Sequence, residues 1–500
     1  MKFNLILALI VLVAGFLFAL NQIAPPERSG SNAIGLERTD CWFDKQPWEL
    51  FTYCYYMHVP ENHQQPEGRL IQFPVVYFKS KNVFSNKSPV LHLGGGGPGG
   101  PMYLDYSEGV DNIKEEHDDF SLKQGRDLIV IDVRGTGLAK PSLVCEPLVE
   151  LQSGILAQNL SFEEEWKLSE PAYAKCIDQY KSLGHELTHF NSTSVAKDID
   201  LLRTSLNAKA LVLYGVSYGA VYAQEIAKNT PEIIESMVLD SAAFPHISMD
   251  EDHYDKALAP YRAIYNYCLI IEGCHASANL TQRRIWAIYE KLEQQPLAMT
   301  LENYNTGENV TALLNGNRFI ASLINSVYSM AIFDDLAQII EELEQGQTET
   351  MEPYFASYVA YMLDPQWGDL SAQAHYCYEM KPFANQQKLR QSIDLLPPGY
   401  IRDSAIHAFE SNDFCEEMNV STANRSFFSE KTIDVPTLFL HGQYDAITPL
   451  SDVRNEKKLF THSRLMTYPT AHSVMTADAC AEISAAKFVE DPSSVELSCW

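Results

Sequence analysis

The sequence predicts an α/β fold: a mostly parallel sheet flanked by helices, with a large and mainly helical insertion ahead of the last strands. Three observations predict it. Between residues 69 and 240, apolar runs of strand length alternate with segments of helical spacing. Those runs are continuously apolar, as strands covered on both faces are. The alternation stops over residues 247–430 and resumes at 435.

Taken in order, a linker runs to about residue 38. RLIQFPVVYFKS (69–80) is then a strand rich in β-branched and aromatic residues. SPVLHL (88–93) is a second strand, ending in GGGGPGGP, and RDLIVIDV (126–133) a third, ending in RGTG. TSVAKDIDLLRTSL (193–206) has apolar residues at helical spacing, with Ser192 or Thr193 as its N-cap. ALVLYG (210–215) is a short buried strand, followed by a helix from about Tyr218 to Lys228. MVLD (237–240) is another strand. Residues 247–430 are rich in helix and tyrosine, and VPTLFLHG (435–442) and RLMTYP (464–469) complete the sheet. The expected organisation is an export signal or anchor over 1–24, a core over 25–246 and 431–500, and a helical cap over 247–430. An insertion at that point roofs whatever site the strand-end loops build.

Composition narrows the function. The 500 residues carry a formal charge of −28, which disfavours nucleic acid and anionic membrane surfaces as partners. One lysine precedes an apolar run from Leu5 to Leu20, the layout of a secretory signal, with an uncleaved membrane anchor as the alternative. Either way the protein is expected outside the cytoplasm, in the periplasm or secreted. The ten cysteines are even in number and form no C-x-x-C, so an exported chain is expected to pair them as disulfides. Pairing of neighbours gives 41–54, 145–176, 268–274, 377–415 and 480–499, although sequence alone leaves the connectivity open.

Two motifs compete for the chemistry. GHELTHF (184–190) contains H-E-x-x-H, a zinc pattern that needs both histidines on one face of a helix. Here it runs directly into a helix-starting cluster at 190–194, has too few residues for a helix of its own, and is followed by no third ligand at a recognisable spacing. GVSYG (215–219) instead sits between a predicted strand and a predicted helix, the context that G-x-S-x-G requires. An abrupt strand-to-helix turn lifts the serine hydroxyl clear of the sheet, and the helix start supplies N–H groups for an oxyanion. Ser217 is therefore the expected nucleophile. It needs a base and an orienting acid. HGQYDAITP offers Asp445 and TAHSV offers His472, each just past the carboxyl end of a predicted strand. His441 is a competitor for the base, but it belongs to the strand end before Asp445 and is expected to support that turn. The glycines at 94–97 let a backbone N–H approach a ligand without obstruction, so Gly97 and Tyr218 are the expected oxyanion donors. A phosphate cradle is disfavoured, since no G-K-[S/T] follows.

GGPGG, DVRGTG, GVSYG, GQYDAITP and AHSV together resemble the prolyl and tripeptidyl aminopeptidase group of α/β-hydrolases, including their characteristic C-terminal portion, over residues 41–500. The chain departs from the group's pattern with Gly95 where a histidine often precedes the oxyanion glycines, and with Met418 near Cys415 in place of a tryptophan. The resemblance implies export, disulfides, no cofactor, the triad Ser217, Asp445 and His472, and peptide substrates with a free N-terminus admitted by the cap. It also implies that a cap carboxylate binds the substrate's α-amino group, for which Glu379 is the candidate. An esterase on the same triad is the alternative, because the scaffold hosts both activities. A silent binding module or a zinc protease are the readings from other classes.

Overall fold

The computed structural model describes residues 24–30, 33–45, 51–245, 278–383, the single positions 387, 391, 393, 394 and 402, and residues 414–424 and 431–494. The apolar segment 5–20 and most of 384–413 lie outside the described residues.

Nine strands form one sheet: β1 (Gly35–Thr39), β2 (Thr52–Pro60), β3 (Leu70–Phe78), β4 (Val90–Leu93), β5 (Leu128–Ile131), β6 (Leu211–Val216), β7 (Ile234–Asp240), β10 (Thr437–Gly442) and β11 (Ser463–Tyr468). Their spatial order is β1-β2-β3-β5-β4-β6-β7-β10-β11. The pairs from β1 to β5 are antiparallel, and from β5 through β4 to β11 every pair is parallel. Side-chain alternation explains why the inner parallel strands read as apolar runs, whereas the edge strand β11 is mostly half-buried. Leu211 and Leu213 enter the core on one face with Ile199 and Leu202 of the helix Ser192–Ser205. Val212 and Tyr214 enter the core on the other face with Ala481 and Phe488 of the helix Ala479–Glu490. Each such buried aliphatic or aromatic side chain contributes about 1.5–3 kcal/mol.

The helix expected at 193–206 is Ser192–Ser205. Its N-cap is Asn191, whose side chain accepts the Ser194 N–H at 2.9 Å, rather than Ser192 or Thr193. Amide and hydroxyl caps are equivalent in kind, each worth about 1 kcal/mol. The expected linker to residue 38 ends instead in β1, and β2 follows without having been anticipated.

Between β7 and β10 the described residues are mainly helical and have a core of their own. On Ala331–Gln345, residues Ile332, Leu336, Ile339, Ile340 and Leu343 form an apolar stripe. It packs with Ile285, Ile288 and Leu292 of Ala278–Gln294 and with Phe319 and Leu323 of Gly316–Ser326. This segment is not wholly helical, because β8 (Leu297–Asn303) and β9 (Glu308–Leu314) form an antiparallel hairpin within it. Disulfides join Cys41 to Cys54, Cys145 to Cys176 and Cys377 to Cys415. Cys480 is also disulfide-bonded. Its expected partner Cys499 lies outside the described residues, as do Cys268 and Cys274.

Candidate active site

Ser217 lies in the turn between β6 and the helix Gly219–Asn229, with φ at +54°. A side chain other than glycine adopts that region at a cost, so the turn is held from outside. The Ser217 N–H donates to the Asp240 carbonyl at the end of β7 (2.9 Å), and its own carbonyl accepts from Ala243 N–H (3.1 Å). Gly219 is required because a Cβ there would lie 2.1 Å from the Leu93 carbonyl of β4. The glycine loop after β4 closes on the serine, and a Cβ on Gly95 would stand 3.2 Å from Ser217 Cβ. Gly97 has φ at +76° and faces the Trp367 ring. Among the described residues, the backbone N–H groups of Gly97 and Tyr218 donate no backbone hydrogen bond.

Asp445 and His472, on the loops after β10 and β11, are brought together. His472 Nδ1 lies 2.9 Å from Asp445 Oδ2. Both residues are buried, at 5% and 7% exposure. Asp445 Oδ1 accepts the N–H groups of Ile447 and Thr448, each at 2.9 Å, and Oδ2 also accepts the Thr448 hydroxyl at 2.8 Å. Burial alone would raise this carboxyl, but its hydrogen bond with His472 and the charges of His472 and His441 hold it below the ordinary range. An ionised Asp445 fixes the proton of a neutral imidazole on Nδ1 and leaves Nε2 as the basic nitrogen. Nε2 is buried and without a hydrogen-bond partner among the described residues. His441 bonds the Thr448 carbonyl through Nε2 at 2.7 Å and stands 3.7 Å from Asp445, so it braces the turn that carries the acid. Tyr328, from the insertion, lays its ring edge-on to His472 at 5.1 Å, and its backbone carbonyl accepts the His472 backbone N–H at 3.3 Å.

Asp240 joins the two halves. While its carbonyl holds Ser217, its carboxylate takes the chain just after His472: Oδ1 accepts Val474 N–H and Oδ2 accepts Met475 N–H, both at 2.8 Å. The Ser241 hydroxyl donates to Oδ1 (3.0 Å) and accepts the Ser473 N–H (2.9 Å). Tyr214 OH donates to Oδ2 at 3.0 Å. Sequence reading missed Asp240 and Thr448. Thr448, three residues after an aspartate in a turn, carried a local signal, whereas Asp240 reads only as the polar end of a strand.

Glu379 is placed beside the serine turn but closed off. It is 2% exposed, and its Oε1 accepts the Ser192 hydroxyl at 2.6 Å and the Tyr218 hydroxyl in a short bond. Its Oε2 lies 3.4 Å from the Ser192 N–H. Burial outweighs these bonds and raises its pKa to about 7. The H-E-x-x-H segment holds a single 3-10 turn, Leu187–His189, in place of a helix. Its histidines are engaged separately, His185 with Glu61 at 2.5 Å and His189 with Glu186 at 2.9 Å. The buried Arg134 guanidinium ties the segment down, donating to the His189 and Glu61 carbonyls while paired with Asp198. Among the described residues no group of three His, Cys, Asp or Glu has a metal-holding arrangement.

Two family profiles match the chain: one described as alpha/beta hydrolase fold over residues 93–265, and one as TAP-like protein over residues 403–496. Serine protease Hip1 of Mycobacterium tuberculosis (strain ATCC 25618 / H37Rv) is 26% identical over 242 residues, covering 45% of this chain and 43% of that protein. Tripeptidyl aminopeptidase of Streptomyces lividans is 26% identical over 215 residues, covering 42% of this chain and 39% of that protein. The chain thus spans about two fifths of the length of these curated relatives. A solved esterase from Exiguobacterium antarcticum aligns with a TM-score of 0.37 at 13% identity, over 85% of this chain and 96% of that one.

Proposed function

From the premise that this chain is an α/β-hydrolase-fold protein with a TAP-like C-terminal segment, we propose that it is an exported serine peptidase. It would release residues or short peptides from substrate N-termini. The observation that carries the reading is the buried Asp445–His472 pair, with His472 Nε2 unpartnered and the Asp240 clamp binding its loop to the turn of Ser217. In this mechanism Nε2 takes the Ser217 proton as the hydroxyl attacks the scissile carbonyl, and Asp445 stabilises the resulting imidazolium. The N–H groups of Gly97 and Tyr218 hold the oxyanion. The imidazolium then protonates the leaving amine, and water, activated by the same histidine, frees the acyl group.

The two named peptidase relatives support a peptide over an ester substrate. The insertion that brings Tyr328 onto His472 supports a cap over the site. We assign Glu379 to holding Tyr218, since its carboxylate is already engaged and has no free face for an α-amino group. The disulfides and the apolar run at 5–20 support export. No helix among the described residues is long and apolar enough to cross a membrane.

The test compares aminoacyl- and tripeptidyl-arylamides with free and acetylated N-termini against simple acyl esters, for wild type and Ser217→Ala. The expected result is cleavage of free-terminus amides that Ser217→Ala abolishes and a chelator leaves intact. Full activity of Ser217→Ala would overturn the nucleophile, and turnover of esters alone would favour the esterase alternative.

A further inference from the structure

A cavity of about 410 Å³ opens where the chain after the glycine loop meets the β8–β9 hairpin and the loop at 364–366. Tyr103, Tyr106 and Tyr304 wall it, and Asp105, Asp364 and Gln366 stand among them. The three rings are 39%, 57% and 59% exposed, among the more exposed large side chains of the described residues. No lysine, arginine or histidine lines the cavity, so its wall carries two carboxylates without a counter-ion.

The polar atoms here are acceptors in excess. Asp364, itself buried, accepts Tyr103 OH on Oδ2 (2.7 Å) and the Gln366 backbone N–H on Oδ1 (2.8 Å). The Gln366 side-chain amide donates to both oxygens of the exposed Asp105, at 2.8 and 3.1 Å, which fixes its orientation. The opposite atom, Gln366 Oε1, is buried with no hydrogen-bond partner. Aromatic rings and an exposed carboxylate share one complement, a cation rich in N–H donors.

The cavity adjoins the proposed oxyanion loop. Trp367, next to Gln366, lies against that loop: a Cβ on Gly97 would meet its ring at 3.7 Å, and one on Gly99 at 3.2 Å. The Gly368 N–H donates to the Gly99 carbonyl at 2.9 Å. The chain segment that carries Gln366 is thus tied to the glycine loop through Trp367 and Gly368.

We propose that this cavity is a cation subsite of the enzyme, taking an ammonium or guanidinium group of the peptide substrate between the three tyrosines and the exposed carboxylate of Asp105, with the buried Asp364 holding Tyr103 in place. The inference rests on the peptidase reading for its substrate, while the cation chemistry follows from the cavity alone. The group has two possible sources, the substrate's α-amino terminus or a lysine or arginine side chain.

The experiment measures KM (read as the inhibition constant against a free-terminus arylamide for any set that is not cleaved) for three peptide-arylamide sets, on wild type, Asp105→Asn and Tyr304→Ala. One set has a free N-terminus and neutral side chains, one is acetylated with an arginine, and one is acetylated and neutral. Both substitutions are at exposed positions. Each is expected to raise KM for one cationic set about three- to tenfold more than for the neutral set, as loss of a partly screened charge or ring contact does. The set affected identifies the source. Equal effects on all three sets would overturn the proposal. If wild type cleaves no peptide, calorimetric titration with arginine amide still reads the cavity. Saturable binding weakened in both variants sustains the cation site without the peptidase, and absence of binding overturns it.

Discussion

Replacing Glu379 by glutamine isolates a pH-dependent load built into the serine turn. Burial raises this carboxyl from an ordinary value of 4.5 to about 7, against the hydrogen bonds from Ser192 and Tyr218. The folded protein therefore holds the proton more tightly than the unfolded chain does. The associated stability is whole below pH 4.5 and is lost as pH rises through about 7. At about 1.4 kcal/mol per pH unit, the interval is worth about 3 kcal/mol, of which roughly 2–3 kcal/mol falls between pH 5 and pH 8. Glutamine carries no charge at any of these values, and its carbonyl can still accept from Ser192 and Tyr218. Denaturant unfolding of wild type and Glu379→Gln at pH 5, 6, 7 and 8 gives the difference directly, and any fixed offset of the substitution cancels between pH values. The variant should gain on wild type by roughly 2–3 kcal/mol across the series. A difference flat to within about 0.5 kcal/mol would show that the carboxyl is not forced to ionise in a dry site, and the reasoning would fail.

Asp240→Asn leaves one carbonyl where two carboxylate oxygens now serve Val474, Met475, Ser241 and Tyr214. An N–H left unpaired in this buried position costs about 1–3 kcal/mol. Because the bonds set the histidine loop, kcat should fall about tenfold or more while KM moves less; steady-state kinetics check this, and a change confined to KM would contradict it. His117, packed on His92 with ring centroids 4.8 Å apart, is pushed down to about 4 by burial. Its neutral form is the one the fold accepts, so that stability is present above 6.5 and lost as pH falls toward 4. His117→Phe keeps the ring contacts and should gain on wild type by about 3 kcal/mol over that interval, the opposite slope to Glu379→Gln; unfolding curves from pH 7 to 4 would read it.

Much of the sheet was legible because its inner parallel strands are buried on both faces, and such strands print as unbroken apolar runs. Ser217 and Asp445 could be named because each follows one of those runs, whereas His472 follows the edge strand β11, which is mostly half-buried rather than buried. The first two strands were missed for a physical reason: TYCYYMHVP mixes cysteine, histidine and proline, and its pairing with β1 and β3 is set by partners rather than by its own pattern. The β8–β9 hairpin did carry a signal. LAMTLEN alternates with period two, and Asn305-Thr306-Gly307 makes the turn. Glu379 was singled out from its neighbours in sequence, but its burial behind Tyr218 depends on Ser192, 187 positions away. Asp240 offered nothing local, since the N–H groups it accepts lie 234 and 235 residues further on.

That separation bears on when the protein can act. A growing chain that has reached β7 already contains Ser217 and both carboxylate oxygens of Asp240, yet it lacks the base and every amide those oxygens are built to hold. The Asp240 carboxylate and the Ser241 hydroxyl beside the serine turn gain these amide partners only when the segment around Ser473–Met475 docks. On the proposed reading, synthesis itself keeps the peptidase latent. A polypeptide emerging from the ribosome or crossing a membrane stays harmless to its surroundings until the segment that carries His472 and the amides of Val474 and Met475 has been delivered.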